Sequence, residues 1–109
     1  MKQRYRSGRY YEYLTQHYLK KLGYDSIRSP GSKGIIDISA WYVCSTNPLE
    51  RPLHRLIQVK SKHPPSKKEL LRLLKYKEKI PAISLEVWVW YPRDRKPEIR
   101  EIKIGKELK

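Results

Sequence analysis

The sequence contains no phenylalanine, a single cysteine and few acidic residues. Asp and Glu together number 11 against 25 Lys and Arg, which gives a formal net charge of +14. A charge of this size indicates the kind of partner rather than the fold. It favours nucleic acid over an anionic membrane surface. Nine tyrosines and three tryptophans supply the aromatic bulk.

Other absences bear on location and topology. No apolar run approaches the roughly 20 residues that a membrane-spanning helix needs. The stretch from Met1 to Tyr11 is basic and aromatic, unlike the apolar segment of a signal peptide. The single cysteine, Cys44, excludes an intramolecular disulfide and fits a reducing compartment. We therefore expect a cytoplasmic protein without membrane contact, in which Cys44 is a small buried hydrophobic residue.

The length of 109 residues predicts a single domain, 1–109. Hydrophobic periodicity predicts a helix, three strands, a second helix and two strands. An apolar stripe marks the first helix, Gly23 is its expected stop, and Ser66 is the expected N-cap of the second. The predicted helices are 7–22 and 67–79, and the predicted strands are 24–28, 35–44, 54–60, 82–91 and a half-buried 98–104. The connector 45–52 indicates a hairpin, so we expect a mixed sheet with helices packed against it.

Four residues could form a metal-assisted phosphodiester site. Asp37 lies in an apolar run, where an unpaired carboxylate is disfavoured. Gln58 and Lys60 are two residues apart in the next strand and therefore share a face, and Glu12 comes from the first helix. Mg²⁺, with Mn²⁺ as an acceptable substitute, binds hard oxygen ligands. The candidate metal ligands are thus Glu12, Asp37 and Gln58, while Lys60 could orient a water or offset charge on the phosphate.

Each of these residues also has a simpler structural explanation. A glutamate in a first helix is usually a solvated or end-charge residue. A Gln-x-Lys sequence at a strand end is a weak signal when it stands alone. The combination, in this order and on these elements, is far more specific than any single member.

Two segments resemble a known group of nucleases. SGRYYEYLTQHYLKKLGYDSIRSPGSKGIIDISAW and LIQVKSK are similar to the PD-(D/E)xK superfamily, in particular to the archaeal Holliday-junction resolvases, over roughly Arg6 to Lys62. The resemblance implies an α/β restriction-endonuclease-like fold, with a central mixed β-sheet of about five strands flanked by helices. Asp37 matches the motif aspartate, Lys60 the motif lysine, and Ser32 a loop serine near the scissile phosphate. The implied catalytic residues are Glu12, Asp37, Gln58, Lys60 and Ser32.

Gln58 departs from the resolvase pattern, which has glutamate at this position. Mrr-like restriction endonucleases of the same superfamily also have glutamine, so the change does not exclude catalysis, although it should weaken Mg²⁺ binding. The resemblance implies a metal-dependent, structure-selective endonuclease that resolves Holliday junctions. Two alternatives stay open: an Mrr-like restriction or repair endonuclease, and a non-catalytic basic DNA-binding protein of the same fold.

Basic residues accompany each element that carries the proposed site. We expect them to line one groove and to bind DNA through phosphate contacts. The candidate DNA-binding residues are Arg4, Arg6, Arg9, Lys33, Lys62, Lys67 and Lys68.

Trp88 and Trp90 share one face of the fourth strand with Glu86. Cover by a packed helix would explain them, and so would a dimer interface, where tryptophan is favoured. Base stacking is a third possibility. Because the resolvases act as two-fold dimers, the resemblance favours a homodimer with Trp88 and Trp90 at its interface.

Overall fold

The computed structural model describes residues 2–29, 34–43 and 51–104, with side chains from residue 9 onward in the first range. The order of elements is the predicted one. The elements are α1 (Lys2–Lys21), β1 (Tyr24–Arg28), β2 (Ile38–Tyr42), β3 (His54–Ser61), α2 (Lys67–Lys79), β4 (Ser84–Trp90) and β5 (Glu98–Glu101). No helix within these residues is long and apolar enough to span a membrane. Cys44, predicted to be buried, lies outside the described residues.

The five strands form one mixed sheet in the order β1-β2-β3-β4-β5. The first three strands pair antiparallel, β3 and β4 pair parallel, and β5 returns antiparallel along β4. A parallel pair requires a crossover, and α2 supplies it between β3 and β4. The hairpin predicted from the connector is confirmed by the β2–β3 pairing.

Helix α1 covers one face of the sheet. The predicted stripe of Tyr11, Leu14, Tyr18 and Leu22 packs against a core that includes fully buried Leu19, as well as residues of four strands. The main-chain conformation of Gly23, with φ of 98°, ends the helix and favours glycine at this position. The helix begins at Lys2 rather than Ser7, since the added residues are good helix formers.

The tryptophans lie inside this core, which corrects the predicted dimer interface. Trp88 and Trp90 are 0% and 3% exposed. The Trp90 Nε1 donates a hydrogen bond of 2.8 Å to the hydroxyl of Thr15 on α1, and Tyr18 packs edge-on against both indoles. Side chains covered by a helix of their own chain have no surface left for a partner. The placement of a dimer interface at Trp88 and Trp90 was therefore wrong, and helix cover is the explanation that holds.

Helix α2 covers the other face. Leu73 packs against Leu85, Val87 and Val89 of β4, which alternate with the tryptophans as strand geometry requires. The helix begins at the predicted N-cap, Ser66. The described residues thus form a sheet with one helix packed on each face.

Three strands are shorter than predicted, and one of them is β4, which spans Ser84–Trp90 rather than 82–91. β2 begins at Ile38 rather than at residue 35. At Asp37 the regular strand pairing is replaced, because both the carboxylate and the main chain of this residue form hydrogen bonds to neighbouring segments. β5 ends at Glu101, and all four of its residues are exposed. The half-buried pattern predicted for 98–104 is wrong for the strand itself, which lies at the sheet edge; only the following Ile102 is buried.

A buried ion pair lies between β3 and β4, and the sequence analysis did not identify it. Arg55 Nε and Nη2 donate to the two carboxylate oxygens of Glu86 at 2.9 and 2.8 Å. The same carboxylate accepts from the Ser84 hydroxyl at 2.6 Å and from Trp88 Nε1 at 2.8 Å. The guanidinium also lies 5.0 Å from the ring centre of Tyr24. The pair is therefore enclosed and its carboxylate is fully hydrogen-bonded, as a buried charge requires.

We expect Glu86→Ala to destabilise the protein by about 3–5 kcal/mol, because it leaves the Arg55 charge buried without a partner. Urea denaturation gives the free energy of unfolding. The double variant Arg55→Met/Glu86→Leu should recover most of the loss, since it removes both charges. Glu98→Ala, which removes an exposed partner of Arg100, is the matched control and should change stability by less than about 1 kcal/mol. An equal loss in both single variants would contradict a special role for burial.

Candidate active site

Three of the predicted site residues lie close together at one end of the sheet. There β1 and β3 end, and the chain enters β2. Asp37 lies close enough to Glu12 and Lys60 for both charges to affect its pKa. The proximity of three of the predicted residues is thus a property of the fold.

Asp37 is bound to the strands on both sides of it. Its N–H donates to the carbonyl of Ile57 at 2.9 Å, and its own carbonyl accepts from Ser29 N–H at 2.8 Å. Its carboxylate Oδ2 accepts from the N–H of Val59 at 2.8 Å. The side chain therefore takes a position in the hydrogen-bond ladder of β3, which fixes where the carboxylate lies.

Burial raises the pKa of Asp37 above the ordinary value for an aspartate. The Val59 hydrogen bond opposes this rise, the nearby Glu12 adds to it, and Lys60 opposes it. A carboxylate with a raised pKa is one whose charge is poorly compensated by the protein alone. A cation bound at Asp37 would supply that compensation.

Gln58 presents a polar atom without a partner. Its Oε1 is buried and accepts no hydrogen bond from the described residues. A buried acceptor without a donor is costly, so such an atom in a folded protein calls for an explanation. An amide oxygen is a hard ligand of the kind that Mg²⁺ binds. The donor set of two carboxylates and this oxygen therefore fits a divalent metal ion.

The described residues contain no cluster of three His, Cys, Asp or Glu side chains that could bind a metal. The proposed ligands include only two acidic residues, Glu12 and Asp37, because residue 58 is glutamine. Metal binding here would depend on two acidic residues and one neutral oxygen.

Glu12 faces the sheet rather than open solvent. Its Oε1 accepts from Arg28 Nε at 2.9 Å, and the Glu12 side chain is 21% exposed. The contact uses one of the two carboxylate oxygens, and it raises the pKa of Arg28. The sequence analysis did not assign Arg28 to the site, and its position at the end of β1 is the only signal that places it there.

Lys60 also has a partner that was not predicted. Its Nζ lies 3.1 Å from each carboxylate oxygen of Glu69, in the first turn of α2. Glu69 is the fourth residue of a capping box that begins at Ser66. A Ser-x-x-Glu sequence is a recognisable signal for a side chain that folds back to the helix start. That signal could have placed Glu69 near the end of β3.

The predicted DNA-binding residues are described only in part. Arg9 is exposed one turn before Glu12, and Lys62, Lys67 and Lys68 are exposed on the connection between β3 and α2 and in the first turn of α2. Lys62 has a positive φ of 73°, and its N–H donates to the carbonyl of Trp90 at 2.7 Å. Three other DNA-binding candidates lie outside the described residues or side chains: Arg4, Arg6 and Lys33. The catalytic candidate Ser32 also lies outside the described residues.

Comparisons with known proteins bear on the fold. No family model and no curated protein matches the sequence. The chain is similar to the solved structure of Hjc from Archaeoglobus fulgidus, a Holliday junction resolvase from an archaeal hyperthermophile. The TM-score is 0.57 at 23% sequence identity, and the match covers 89% of this chain and 72% of the other. The resemblance to resolvases is confirmed at the level of structure, and so is the predicted α/β restriction-endonuclease-like fold class.

We expect Asp37→Asn to raise the melting temperature of the metal-free protein at neutral pH. The folded carboxyl group has a raised pKa, so it holds its proton more tightly than the unfolded one. Wild-type stability should therefore fall as pH rises through that pKa, and the amide, which can still accept from Val59 N–H, removes this fall. Melts in EDTA across a pH series measure the effect.

The matched control is Asp25→Asn, which removes an exposed carboxylate from β1 and makes the same change in net charge. The difference between Asp37→Asn and wild type should shrink at acid pH, where the wild-type carboxyl is protonated. A lower melting temperature for Asp37→Asn at neutral pH, with Asp25→Asn unaffected, would mean that the fold itself needs the Asp37 charge.

Proposed function

We propose that the chain is a single-domain, metal-dependent endonuclease that cleaves branched DNA, with the four-way junction as its preferred substrate. The observation that carries the proposal is the buried Oε1 of Gln58, which accepts no hydrogen bond from the described residues and belongs to the strand end near Asp37 and Lys60. An oxygen without a donor, a carboxylate with a raised pKa and an ammonium group are the parts that metal-assisted phosphodiester hydrolysis needs.

Two further observations support this function. The net charge of +14 suits a substrate with a dense array of phosphates. The fold is that of a structure described as a Holliday junction resolvase. Exposed Arg9, Lys62, Lys67 and Lys68 flank the elements that supply the site, so phosphate contacts there would bring the backbone to Asp37.

In this proposal Glu12, Asp37 and Gln58 would hold Mg²⁺. The ion would supply Lewis-acid polarisation of the phosphate and activation of a water for attack. Asp37 stays in place through its bond to Val59 N–H while its other oxygen serves the site. Lys60 would stabilise the negative charge that builds on the phosphate oxygens as water attacks. Because the pKa of Asp37 is raised in the metal-free protein, protons should compete with Mg²⁺ for this carboxylate at a higher pH than they would at an ordinary aspartate.

We also propose that the protein acts as a homodimer, because symmetric cleavage of a junction requires two equivalent sites. The interface must lie elsewhere than at Trp88 and Trp90, which α1 covers. Paired cuts at symmetric positions on opposite strands would be the product pattern of such a dimer.

A substrate comparison tests the proposal. Four-way junction, flap and linear duplex DNA are incubated with wild-type protein in Mg²⁺, in Mn²⁺ and in EDTA. We expect metal-dependent cleavage with preference for the junction, and loss of cleavage in Asp37→Ala with binding largely retained. Asp25→Ala is the control. Preference for duplex or flap would favour the Mrr-like alternative that Gln58 suggests, and binding without any cleavage would favour a non-catalytic DNA-binding protein.

Gln58→Glu provides a separate test of the metal site. We expect this variant to remain active and to reach half-maximal cleavage at lower Mg²⁺, because it restores a third carboxylate. Without metal it should melt below wild type, since a charge then replaces a neutral atom in a buried position. Mg²⁺ should raise its melting temperature more than that of wild type. An unchanged or higher Mg²⁺ requirement would show that residue 58 is not a ligand.

A further inference from the structure

We propose that Glu69 is a positioning residue that holds the Lys60 ammonium group beside the site while keeping it off Asp37. This inference rests on the proposed function, since it assigns a task within the same site. Glu69 comes from α2, an element that supplies none of the proposed ligands, and it is not part of the motif that suggested the site.

The geometry joins Lys60 and the start of α2 through one carboxylate. Glu69 Oε1 accepts from the N–H of Ser66 at 2.9 Å and from Lys60 Nζ at 3.1 Å. Glu69 Oε2 lies 3.1 Å from the same ammonium group. Ser66 Oγ in turn accepts from the N–H of Glu69 at 3.2 Å. Ser66 therefore binds both the carboxylate and the main-chain N–H of Glu69, and these two bonds fix the position of the side chain that contacts Lys60.

The connection between the two residues is short and conformationally restricted. Lys62 has a left-handed main chain and donates its N–H to the carbonyl of Trp90, which fixes the turn at the end of β3. Pro64 and Pro65 then limit the conformations available before Ser66, and Pro65 is buried. This turn brings the first turn of α2 back to the strand end. Glu69 is thus held next to Lys60 by a conformationally restricted turn and the first turn of α2.

Electrostatics explains why a carboxylate is needed there. The N-terminus of a helix carries a partial positive charge, which repels an ammonium group. Lys67 and Lys68 add two further cations in the same turn. Hydrogen bonds from Ser66 and Lys60 lower the pKa of Glu69, so its negative charge is maintained. The charge of Glu69 makes this position favourable for Lys60.

The alternative partner for Lys60 is Asp37, because the Lys60 charge is near enough to act on the pKa of this carboxyl group. An ammonium group paired directly with Asp37 would compete with a metal ion for the same carboxylate. The competition matters more in this chain than in a site with three acidic ligands, because Gln58 contributes no charge. Glu69 therefore leaves Asp37 available for the cation and leaves Lys60 available for the phosphate.

The test compares Glu69→Gln with Ser66→Ala. Glutamine at this position still accepts from Ser66 N–H, so the capping box is kept and the charge at Lys60 is lost. Ser66→Ala does the reverse, since it removes the hydroxyl cap while the Glu69 carboxylate remains. Junction cleavage is measured below the melting temperature of every variant. Two further readouts are taken without DNA: the Mg²⁺-induced rise in melting temperature, and acetylation of Lys60 relative to Lys62 by an amine-reactive ester.

We expect Glu69→Gln to lower kcat about 10–100-fold, the usual range for an outer partner of a metal site. KM for the junction should not rise, because removing an acidic residue from a strongly basic chain does not weaken phosphate binding. The Mg²⁺-induced rise in melting temperature should shrink, and Lys60 should be acetylated faster than in wild type. Ser66→Ala should melt at a lower temperature but keep kcat, the Mg²⁺ response and the slow acetylation of Lys60.

If the wild-type protein cleaves DNA and Glu69→Gln has the same kcat and the same Mg²⁺ response, this inference is wrong. The proposed function would still hold in that case. A kcat that falls equally in Ser66→Ala would also overturn this inference, because the effect would then come from the helix start. A wild-type protein that cleaves no DNA would overturn the proposed function, and this inference with it.

Discussion

The candidate site depends on the way Asp37 is inserted between β1 and β3. Its N–H and its carboxylate both bind β3, and its carbonyl binds Ser29 at the end of β1. Three hydrogen bonds to two strands leave the residue little freedom. The carboxylate is consequently placed by main-chain geometry rather than by side-chain packing, and the other groups at this end of the sheet are arranged around it.

Around this fixed carboxylate, charges of both signs are paired locally in a chain with a large positive excess. Glu12 pairs with Arg28, and Lys60 pairs with Glu69. Both pairs are partly exposed, so each contributes little to the free energy of unfolding. The pairs matter for the positions of the Glu12 and Lys60 side chains, because each pair restricts a side chain that would otherwise rotate freely. The two pairs therefore cancel one another's charge beside Asp37, while exposed basic residues flank them, an arrangement that suits the proposed phosphodiester substrate.

Much of this arrangement could be predicted from the sequence, because it follows from local patterns. Alternation in β3 places Gln58 and Lys60 on one face, and the stripe on α1 identifies the side that packs on the sheet. The partners Arg28 and Arg55 were missed, since ion pairs between distant elements leave no periodic signal. Glu69 was missed although the capping-box sequence that begins at Ser66 indicated where its side chain lies. The sequence also could not show what covers Trp88 and Trp90. An apolar strand face must be covered, but its pattern is the same whether a helix of the same chain or a second chain covers it.

The order of the elements along the chain has a consequence for synthesis on the ribosome. All the proposed site residues, from Glu12 to Glu69, precede β4, yet β4 contributes the tryptophans on which α1 packs. The hydrogen bond between Thr15 and Trp90 spans 75 residues. A nascent chain that already contains every group of the proposed site thus lacks the strand whose tryptophans complete the core beneath α1, the helix that carries Glu12. The core that supports the proposed site is therefore complete only when the last third of the protein has emerged.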